Sequence, residues 1–182
     1  MKLYLLRHGQ TDWNVEWRMQ GSEDIPLNEL GLKQAREAAE RMKNNHYDVI
    51  FSSPLQRARV TAEIISEALG MDYIIDERLT EMSFGIIEGT TPEYAKENPN
   101  RDLFFTDPAK YEPDPTAESF EQVKNRCLSF IDDIKTRDYN DVLIVCHGAL
   151  TKAMLMAIYN KPVEEFWDSP PQPNCTAIEA EI

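Results

Sequence analysis

Two stretches of the chain share one pattern: LYLLRHG at residues 3–9 and VLIVCHG at residues 142–148. In each stretch, a short apolar run that is typical of a buried strand ends directly at His-Gly. The two histidines, His8 and His147, are two of only three in the chain. Because ligands bind beyond the carboxyl ends of the strands in open α/β sheets, we expect both imidazoles at one site. Arg7 adds a cation beside His8, so the predicted ligand is an anion.

The composition is that of an ordinary globular protein, with 182 residues of which 42% are hydrophobic and 28% are charged. This length predicts a single domain over residues 1–182. The net charge of −13 argues against a nucleic acid or an anionic membrane surface as a partner. No apolar run reaches the length of about 18 residues that a transmembrane helix requires. The first strand begins too early to leave room for a signal peptide.

Three widely spaced cysteines, Cys127, Cys146 and Cys175, are predicted to be free thiols in a reducing cytoplasm. Their spacing lacks the CxxC pattern of metal sites, and we predict no bound metal.

Strands and helices alternate along the chain. Strands are predicted at residues 2–6, 48–52, 73–75 and 142–146, with a final strand at 176–182. Helices are predicted at about 29–44, 53–69, 117–136 and 149–160. Asn28 and Ser53 are the predicted N-caps of the first two helices, and Gly70 ends the second. The alternation predicts an α/β fold: a three-layer αβα sandwich around a mostly parallel sheet.

Residues 90–115 interrupt this alternation with five prolines and no clear periodicity. A segment of this kind in a compact domain is usually a functional lid or disordered. Its four aromatic residues argue against disorder: Tyr94, Phe104, Phe105 and Tyr111. We predict a lid-like insertion that folds over the site, with a surface excursion of no function as the alternative.

His8 is the candidate nucleophile. The charge of Arg7 disfavours its protonated form, so the imidazole should be neutral near pH 7 with a free lone pair. A neutral imidazole in a positive pocket is suited to attack phosphorus. Arg57 follows the second strand near a helix N-terminus, a position that itself favours anions. Arg59 is the competing candidate, but Arg57 lies closer to the turn.

Glu81 lies among apolar residues in LTEMSFG at residues 79–85. A partly desolvated carboxyl group that faces a phosphate is suited to act as a general acid. Glu88 has similar surroundings and is the alternative. Further hydrogen-bond donors are expected in the loop after the first strand: Asn14, Gln20 and Gly21. The third histidine, His46, is assigned no function.

Six blocks, in order, resemble the histidine phosphatase superfamily in its phosphoglycerate mutase-like branch. They are LRHGQTDWN at 6–14, PLNELG at 26–31, SSPLQRARVTA at 52–62, LTE at 79–81 with EG at 88–89, ES at 118–119, and HG at 147–148. Asn28, Ile87 and Ala117 depart from the usual threonine, tryptophan and glycine of the family. These departures affect the expected substrate more than the expected chemistry.

The resemblance implies a role for each candidate residue. His8 would become phosphorylated, and Glu81 would protonate the leaving oxygen and then deprotonate the attacking water. The implied substrate-binding residues are Arg7, Asn14, Gln20, Gly21, Arg57, His147 and Gly148. Of these, Arg7, Arg57 and His147 would hold the phosphoryl oxygens, and His147 is expected to be protonated. No metal or other cofactor is implied, because these groups supply the positive charge.

Hydrolysis and mutase-type phosphotransfer use the same set of residues. A mutase must hold a second phosphate, yet residues 90–115 contain three basic side chains (Lys96, Arg101 and Lys110) and six acidic ones. The aromatic residues there, with Trp13 and Trp17, favour a partly apolar or ring-shaped leaving group.

We therefore expect a metal-independent phosphomonoester hydrolase of the broad-specificity or α-ribazole phosphatase type, acting on a small phosphorylated metabolite. The alternatives are a mutase and a non-catalytic module that binds phosphorylated ligands. The sequence identifies neither the substrate nor the oligomeric state.

Overall fold

The structure, a computed structural model, describes residues 1–95 and 99–182, without the side chains of Pro92, Ala95 and Pro99. Its strands are β1 (Lys2–Arg7), β2 (Val49–Ser52), β3 (Tyr73–Ile75), β4 (Asp141–Cys146) and β5 (Ala177–Glu181). Within the described residues they form one five-stranded sheet in the order β3-β2-β4-β1-β5. The first four strands run parallel and β5 runs antiparallel to β1, which confirms a mostly parallel sheet.

Helices cover both faces of the sheet. They are α1 (Asp12–Val15), α2 (Glu29–Met42), α3 (Gln56–Leu69), α4 (Pro92–Ala95), α5 (Pro99–Thr106), α6 (Phe120–Ile134) and α7 (Gly148–Ile158). Short 3₁₀ turns lie at Glu77–Leu79, Gly85–Ile87, Pro108–Lys110 and Val163–Glu165. Helices α2 and α3 pack on one face of the sheet, and α6 and α7 pack on the other. The predicted three-layer αβα sandwich is confirmed. In the described part of the chain, no helix is long and apolar enough to cross a membrane.

Strand β4 shows why helices must cover both faces of the sheet. Val142 and Ile144 belong to the core beneath α6 and α7, whereas Leu143 and Val145 belong to the core beneath α2 and α3. All four side chains are fully buried. Because successive side chains of a strand point to opposite faces, a continuous apolar run requires a layer on each side.

Local signals place several helix ends where the sequence predicts them. The Asn28 side chain accepts a hydrogen bond from the Gly31 N–H at 2.8 Å and caps α2. Gly70 ends α3 with a left-handed φ of 64°, a conformation that glycine adopts without steric cost. Both features depend on residues within a few positions of the helix end.

The predicted start of α3 at Ser53 and Pro54 is wrong. The helix begins at Gln56, and its Leu55 cap makes no side-chain hydrogen bond. The Gln56 N–H instead donates to the Asp24 carboxylate at 2.7 Å. The Ser53 hydroxyl lies 2.7 Å from Nε2 of His147, so a tertiary contact replaces the expected local cap.

The predicted insertion at residues 90–115 contains α4, α5 and a 3₁₀ turn. Phe104 on α5 is fully buried, and its ring contacts those of Phe84 and Phe120. The insertion therefore packs against the body of the domain. Lys96, one of its three basic residues, lies outside the described residues.

The topology gathers several connecting segments at one edge of the sheet. Strands β1, β2 and β4 are parallel neighbours and end at Arg7, Ser52 and Cys146. The segments that follow them therefore meet at their carboxyl ends. Strand β5 runs the opposite way, so residues 166–176, which precede it, arrive at the same edge.

Candidate active site

A cavity of about 250 Å³ lies at this edge of the sheet. It is lined by eight of the nine predicted site residues: Arg7, His8, Asn14, Gln20, Gly21, Arg57, Glu81 and Gly148. A larger groove of about 620 Å³ lies between α2 and β5, among Arg41, Tyr47 and Cys175. The smaller cavity is the candidate active site because it collects the imidazole, guanidinium and carboxyl groups.

His8 has the hydrogen bonding of a neutral nucleophile. It is buried, and its Nδ1 lies 2.6 Å from the Gly9 carbonyl oxygen. Because a carbonyl only accepts, the proton is assigned to Nδ1 and Nε2 keeps its lone pair. Burial holds the pKa of His8 well below its usual value, and the charges of Arg57 and Arg7 lower it further. These features support the predicted neutral imidazole.

The glycine after His8 is required by close packing. A Cβ atom on Gly9 would lie 2.5 Å from the Gly31 carbonyl oxygen at the start of α2. The Gly9 N–H also donates to the Thr61 hydroxyl on α3 at 3.1 Å. Gly148 is less constrained, since a Cβ atom there would lie 3.7 Å from Nε of Arg7. Both His-Gly pairs therefore lie at the same edge of the sheet, but close packing requires glycine only at Gly9.

Arg7 and Arg57 are positioned by backbone carbonyls. Arg7 donates to the Gln172 carbonyl at 2.6 Å, and Arg57 donates to the carbonyls of Glu23 and Gly21 at 2.5 and 2.7 Å. The Nε atoms of both arginines are buried, and the described residues offer them no hydrogen-bond partner. Burial lowers the pKa of Arg57 to about 10, so it remains charged at neutral pH. An anion in the cavity would satisfy these donors.

His147 is fully buried behind the cavity lining, and its ring centroid lies 5.2 Å from that of His8. Burial, followed by the charges of Arg57 and His8, holds its pKa well below its usual value. This lowered pKa contradicts the expectation of a protonated His147. The Ser53 hydroxyl accepts from the Leu55 N–H at 3.3 Å and has its proton free for Nε2 of His147. When Ser53 donates to Nε2, the proton of a neutral His147 ring lies on Nδ1, which has no partner among the described residues and can then donate to an anion.

Glu81, rather than Glu88, faces the cavity. Its carboxyl oxygens accept hydrogen bonds from the N–H groups of Leu150 and Ala149 at 2.8 and 3.2 Å. These are free N–H groups of the first turn of α7, where the helix dipole favours negative charge. The Glu88 carboxylate instead binds the N–H of Ser22 and that of Phe84. The helix therefore fixes the Glu81 carboxyl group beside His8 and the arginines.

The three predicted loop donors have different surroundings. Asn14 lies in α1 and not in a loop, and its side-chain oxygen accepts from the Thr11 N–H at 3.1 Å. Gln20 is buried, and its side-chain oxygen has no partner among the residues that the structure describes. Gly21 was expected to donate, but it contributes a carbonyl that accepts from Arg57.

Several lining residues are not indicated by the sequence: Arg18, Met19, Phe84, Ala149, Lys152, Trp167, Ser169, Pro171 and Gln172. Four of them come from the segment before β5, which carries no motif. The position of Lys152 was predictable from the sequence, because it lies one helical turn after Gly148 and therefore on the same side of α7. Gln172 acts through a backbone carbonyl, which a side-chain pattern cannot indicate.

The aromatic residues expected to face the leaving group are mostly elsewhere. Phe105 lines the cavity, as expected. The others lie outside the lining: Trp13, Trp17, Tyr94, Phe104 and Tyr111. Trp17, for example, is 76% exposed. Trp167, from the segment before β5, lines the cavity with Phe105, and the two ring centroids are 5.2 Å apart.

All three cysteines are free and buried. Among residues 1–95 and 99–182, no group of three or more His, Cys, Asp or Glu side chains is arranged to hold a metal ion. The positive charge of the candidate site is that of its arginine and lysine side chains.

The chain is similar over most of its length to known phosphatases and mutases. It is 38% identical over 170 residues to "Putative phosphoserine phosphatase 2" of Hydrogenobacter thermophilus, covering 92% of this chain and 83% of the relative. It is 34% identical over 166 residues to "Probable phosphoglycerate mutase GpmB" of Proteus mirabilis, covering 89% and 76%. The solved mycobacterial glucosyl-3-phosphoglycerate phosphatase in complex with VO3 superposes with a TM-score of 0.90 at 32% identity, covering 98% and 91%. Residues 3–182 match the profile of the histidine phosphatase superfamily (branch 1). As predicted, the chain belongs to the histidine phosphatase superfamily.

Proposed function

We propose that the chain is a metal-independent phosphomonoester hydrolase that acts on a small phosphorylated metabolite through a phosphohistidine on His8. The observation that carries the proposal is the state of His8: Nδ1 is bound to the Gly9 carbonyl, and Nε2 is free beside two arginines. The phosphatases among the relatives support the same reaction class.

In the first half of the reaction, Nε2 of His8 attacks phosphorus. The new P–N bond forms as the ester P–O bond breaks, and Glu81 gives a proton to the leaving oxygen. Nε of Arg7, Nε of Arg57 and Nδ1 of His147 are the buried donors available to the phosphoryl oxygens. The guanidinium groups of Arg7 and Arg57 are held by backbone carbonyls before charge develops on those oxygens.

In the second half, Glu81 is a carboxylate and takes a proton from water. The water oxygen attacks phosphorus, the P–N bond breaks, and Nε2 of His8 regains its lone pair. One carboxyl group serves both halves because it is fixed by the backbone of α7. Inorganic phosphate is the second product.

Mutase activity is the alternative, and the similarity to a probable phosphoglycerate mutase favours it. Mutase chemistry needs additional cations for a second phosphate. In the described part of the insertion, Lys110 pairs with Asp107 at 2.5 Å, and neither Lys110 nor Arg101 lines the cavity. This distribution of charge favours hydrolysis.

The test is phosphate release from p-nitrophenyl phosphate in EDTA, together with the fate of 3-phosphoglycerate. Release that survives chelation, with a ³²P adduct that is acid-labile and base-stable, supports the proposal. Replacement of His8 by alanine should lower the rate by about 10⁴-fold. Isomerisation of 3-phosphoglycerate without release of phosphate would establish a mutase, and binding without turnover a non-catalytic module.

We further propose that the insertion acts as a lid within the single domain and that the enzyme works in the cytoplasm. The first part rests on Phe105, which lines the cavity from α5. The second rests on three buried free thiols.

A further inference from the structure

Lys152 is a cation that the proposed reaction does not use. It lines the cavity from α7, and its Nζ donates to the carbonyl and hydroxyl oxygens of Ser169 at 2.7 and 2.8 Å. Both acceptors are neutral, and no carboxylate among the described residues forms an ion pair with Nζ. An ammonium group has three N–H donors, so one remains available. The Lys152 ammonium group is therefore held in place by Ser169 but forms no ion pair within the described residues.

The surroundings of Lys152 hold it in place. Its Nζ lies 5.4 Å from the centroid of the Trp167 ring, a favourable cation–π position. Burial lowers the pKa of Lys152, and the charge of Asp168 acts in the opposite direction. The ammonium group is therefore partly desolvated before any ligand enters, and a ligand anion would restore the lost stabilisation.

The position of Lys152 relates it to the leaving group. Glu81, the proposed proton donor to the leaving oxygen, is bound by the N–H groups of Ala149 and Leu150 on the same helix. Lys152 follows on α7 and also lines the cavity. The phosphoryl donors Arg7 and Arg57 come from other elements. Glu81 and Lys152 therefore border the same cavity, and a leaving group whose ester oxygen lies at Glu81 shares that cavity with the Lys152 ammonium group.

We propose that Lys152 binds a carboxylate on the leaving group, so that this enzyme selects phosphomonoesters of carboxylate-bearing alcohols. The inference rests on the proposed hydrolase function and names the class of its substrate. The single positive charge of Lys152 balances one carboxylate, whereas a second phosphate dianion would keep a negative charge unbalanced beside the apolar walls. Arg18, which also lines the cavity and is not used in the proposed reaction, is already paired with Glu16 and donates to the Gly89 carbonyl at 2.9 Å.

The remaining walls limit the size and polarity of the leaving group. Met19, Phe84, Phe105 and Trp167 give the cavity an apolar side, and its volume is about 250 Å³. A short alcohol with a carboxylate at one end fits this combination.

The kinetic test compares O-phospho-L-serine with O-phosphoethanolamine, which differ only in the carboxylate. The unmodified enzyme should prefer phosphoserine in kcat/KM, and Lys152→Met should remove about tenfold of that preference, mainly through KM. Lys152→Arg keeps the charge and should retain most of the preference. Lys33→Met is the matched control, because Lys33 is an exposed side chain on α2 in the opposite layer. It should leave kcat/KM for both substrates unchanged. Circular dichroism checks that each variant is folded.

A binding test separates this inference from the proposed hydrolase function. In a His8→Ala background, calorimetry measures the Kd of both compounds with Lys152 and with Lys152→Met. A preference for phosphoserine that Lys152→Met removes supports the subsite, even if p-nitrophenyl phosphate is not hydrolysed and the hydrolase proposal fails. Equal effects of Lys152→Met on both compounds, or no effect in either test, would overturn the inference while hydrolysis of p-nitrophenyl phosphate stands.

Discussion

His8 and His147 lie side by side, yet their hydrogen bonds give them opposite capacities. The Gly9 carbonyl fixes the proton of His8 on Nδ1, which leaves Nε2 as a nucleophile. The Ser53 hydroxyl lies 2.7 Å from Nε2 of His147, and when it donates there, Nδ1 of a neutral ring becomes the donor. Burial and the neighbouring arginines hold the pKa of both rings well below the usual value. In the proposed reaction, the tautomer therefore distinguishes the nucleophile from the group that binds the phosphoryl oxygens.

Arg57→Met should move the acid limb of the pH profile toward neutral pH. His8 must be unprotonated to attack, so activity falls as pH drops through its pKa. Burial is the first cause of its lowered pKa and Arg57 the second, so loss of Arg57 raises that pKa toward about 6.5. The measurement is kcat/KM for p-nitrophenyl phosphate against pH. We also expect a fall of about 10²-fold at the optimum, from the lost phosphoryl contact.

Arg59→Met is the matched control, because Arg59 is exposed on the same helix. It should leave both the rate and the acid limb unchanged. An equal shift in both variants would mean that general charge, rather than contact with the site, sets the pKa of His8.

Ser53→Ala should lower kcat/KM by about tenfold, the effect expected for one hydrogen bond. Without the hydroxyl, Nε2 of His147 loses its partner and the ring can place its proton on either nitrogen. Ser66→Ala is the control, since the Ser66 hydroxyl binds the Glu63 carbonyl within α3. Steady-state hydrolysis of p-nitrophenyl phosphate measures both. An unchanged rate in Ser53→Ala would contradict the proposed role of the tautomer.

At the residue scale, the sequence predicts which residues lie at the cavity better than it predicts their protonation and hydrogen bonds. Arg57 was preferred to Arg59 because it lies closer to the turn, and it is buried at the cavity while Arg59 is exposed. Glu81 likewise faces the cavity. The predicted protonation of His147 is wrong because the pKa of this residue depends on burial and on the charges of Arg57 and His8. Those contacts form only when β2 and β4 become neighbours.

At the element scale, helix ends are predictable where their caps are local. Asn28 caps α2 through a residue three positions away, and Gly70 ends α3 through its own φ. The start of α3 depends on Asp24, which is distant in sequence. The Ser53-Pro54 pair is typical of a helix start, but α3 begins three residues after Ser53.

Asp24→Ala should lower the free energy of unfolding by about 1 kcal/mol, the typical cost of losing an N-terminal cap. The Asp24 carboxylate binds the Gln56 N–H, which otherwise has no partner in the helix. Urea denaturation followed by circular dichroism measures the change. Asp72→Ala, in the exposed connection before β3, is the control and should change it by less than about 0.5 kcal/mol. Equal changes in the two variants would show that Asp24 does not act as a cap.

At the scale of the whole molecule, the parts that cover the site are the least predictable. The alternation of strands and helices predicts the three layers and the edge where the candidate active site lies. The insertion and residues 166–176 have no periodicity, and their places follow from contacts such as the Trp167 N–H bond to the Phe104 carbonyl at 2.5 Å. Lys152 and Trp167 meet through that same packing. Under the proposed function, the residues that select the substrate are placed by contacts that a single sequence does not reveal.

Phe104 and Phe105 should separate stability from substrate binding. Phe104 is fully buried, and its ring contacts five aromatic rings: Phe84, Phe105, Tyr111, Phe120 and Trp167. Phe104→Ala should lower the free energy of unfolding by about 3–5 kcal/mol, because it leaves a cavity in this cluster. Phe105 is 39% exposed and lines the active-site cavity, so Phe105→Ala should cost about 1 kcal/mol or less and raise KM.

Urea denaturation and steady-state kinetics on the two adjacent variants measure both effects. If Phe105→Ala proved as destabilising as Phe104→Ala with KM unchanged, the insertion would be a structural brace and not a lid. If Phe104→Ala left stability intact, the aromatic cluster would not hold the insertion on the domain. A large loss of stability in Phe104→Ala would show that packing of Phe104 positions the insertion. A raised KM in Phe105→Ala would show that the exposed Phe105 ring contacts the substrate. Adjacent positions of one short helix would then carry the two separate tasks of a lid.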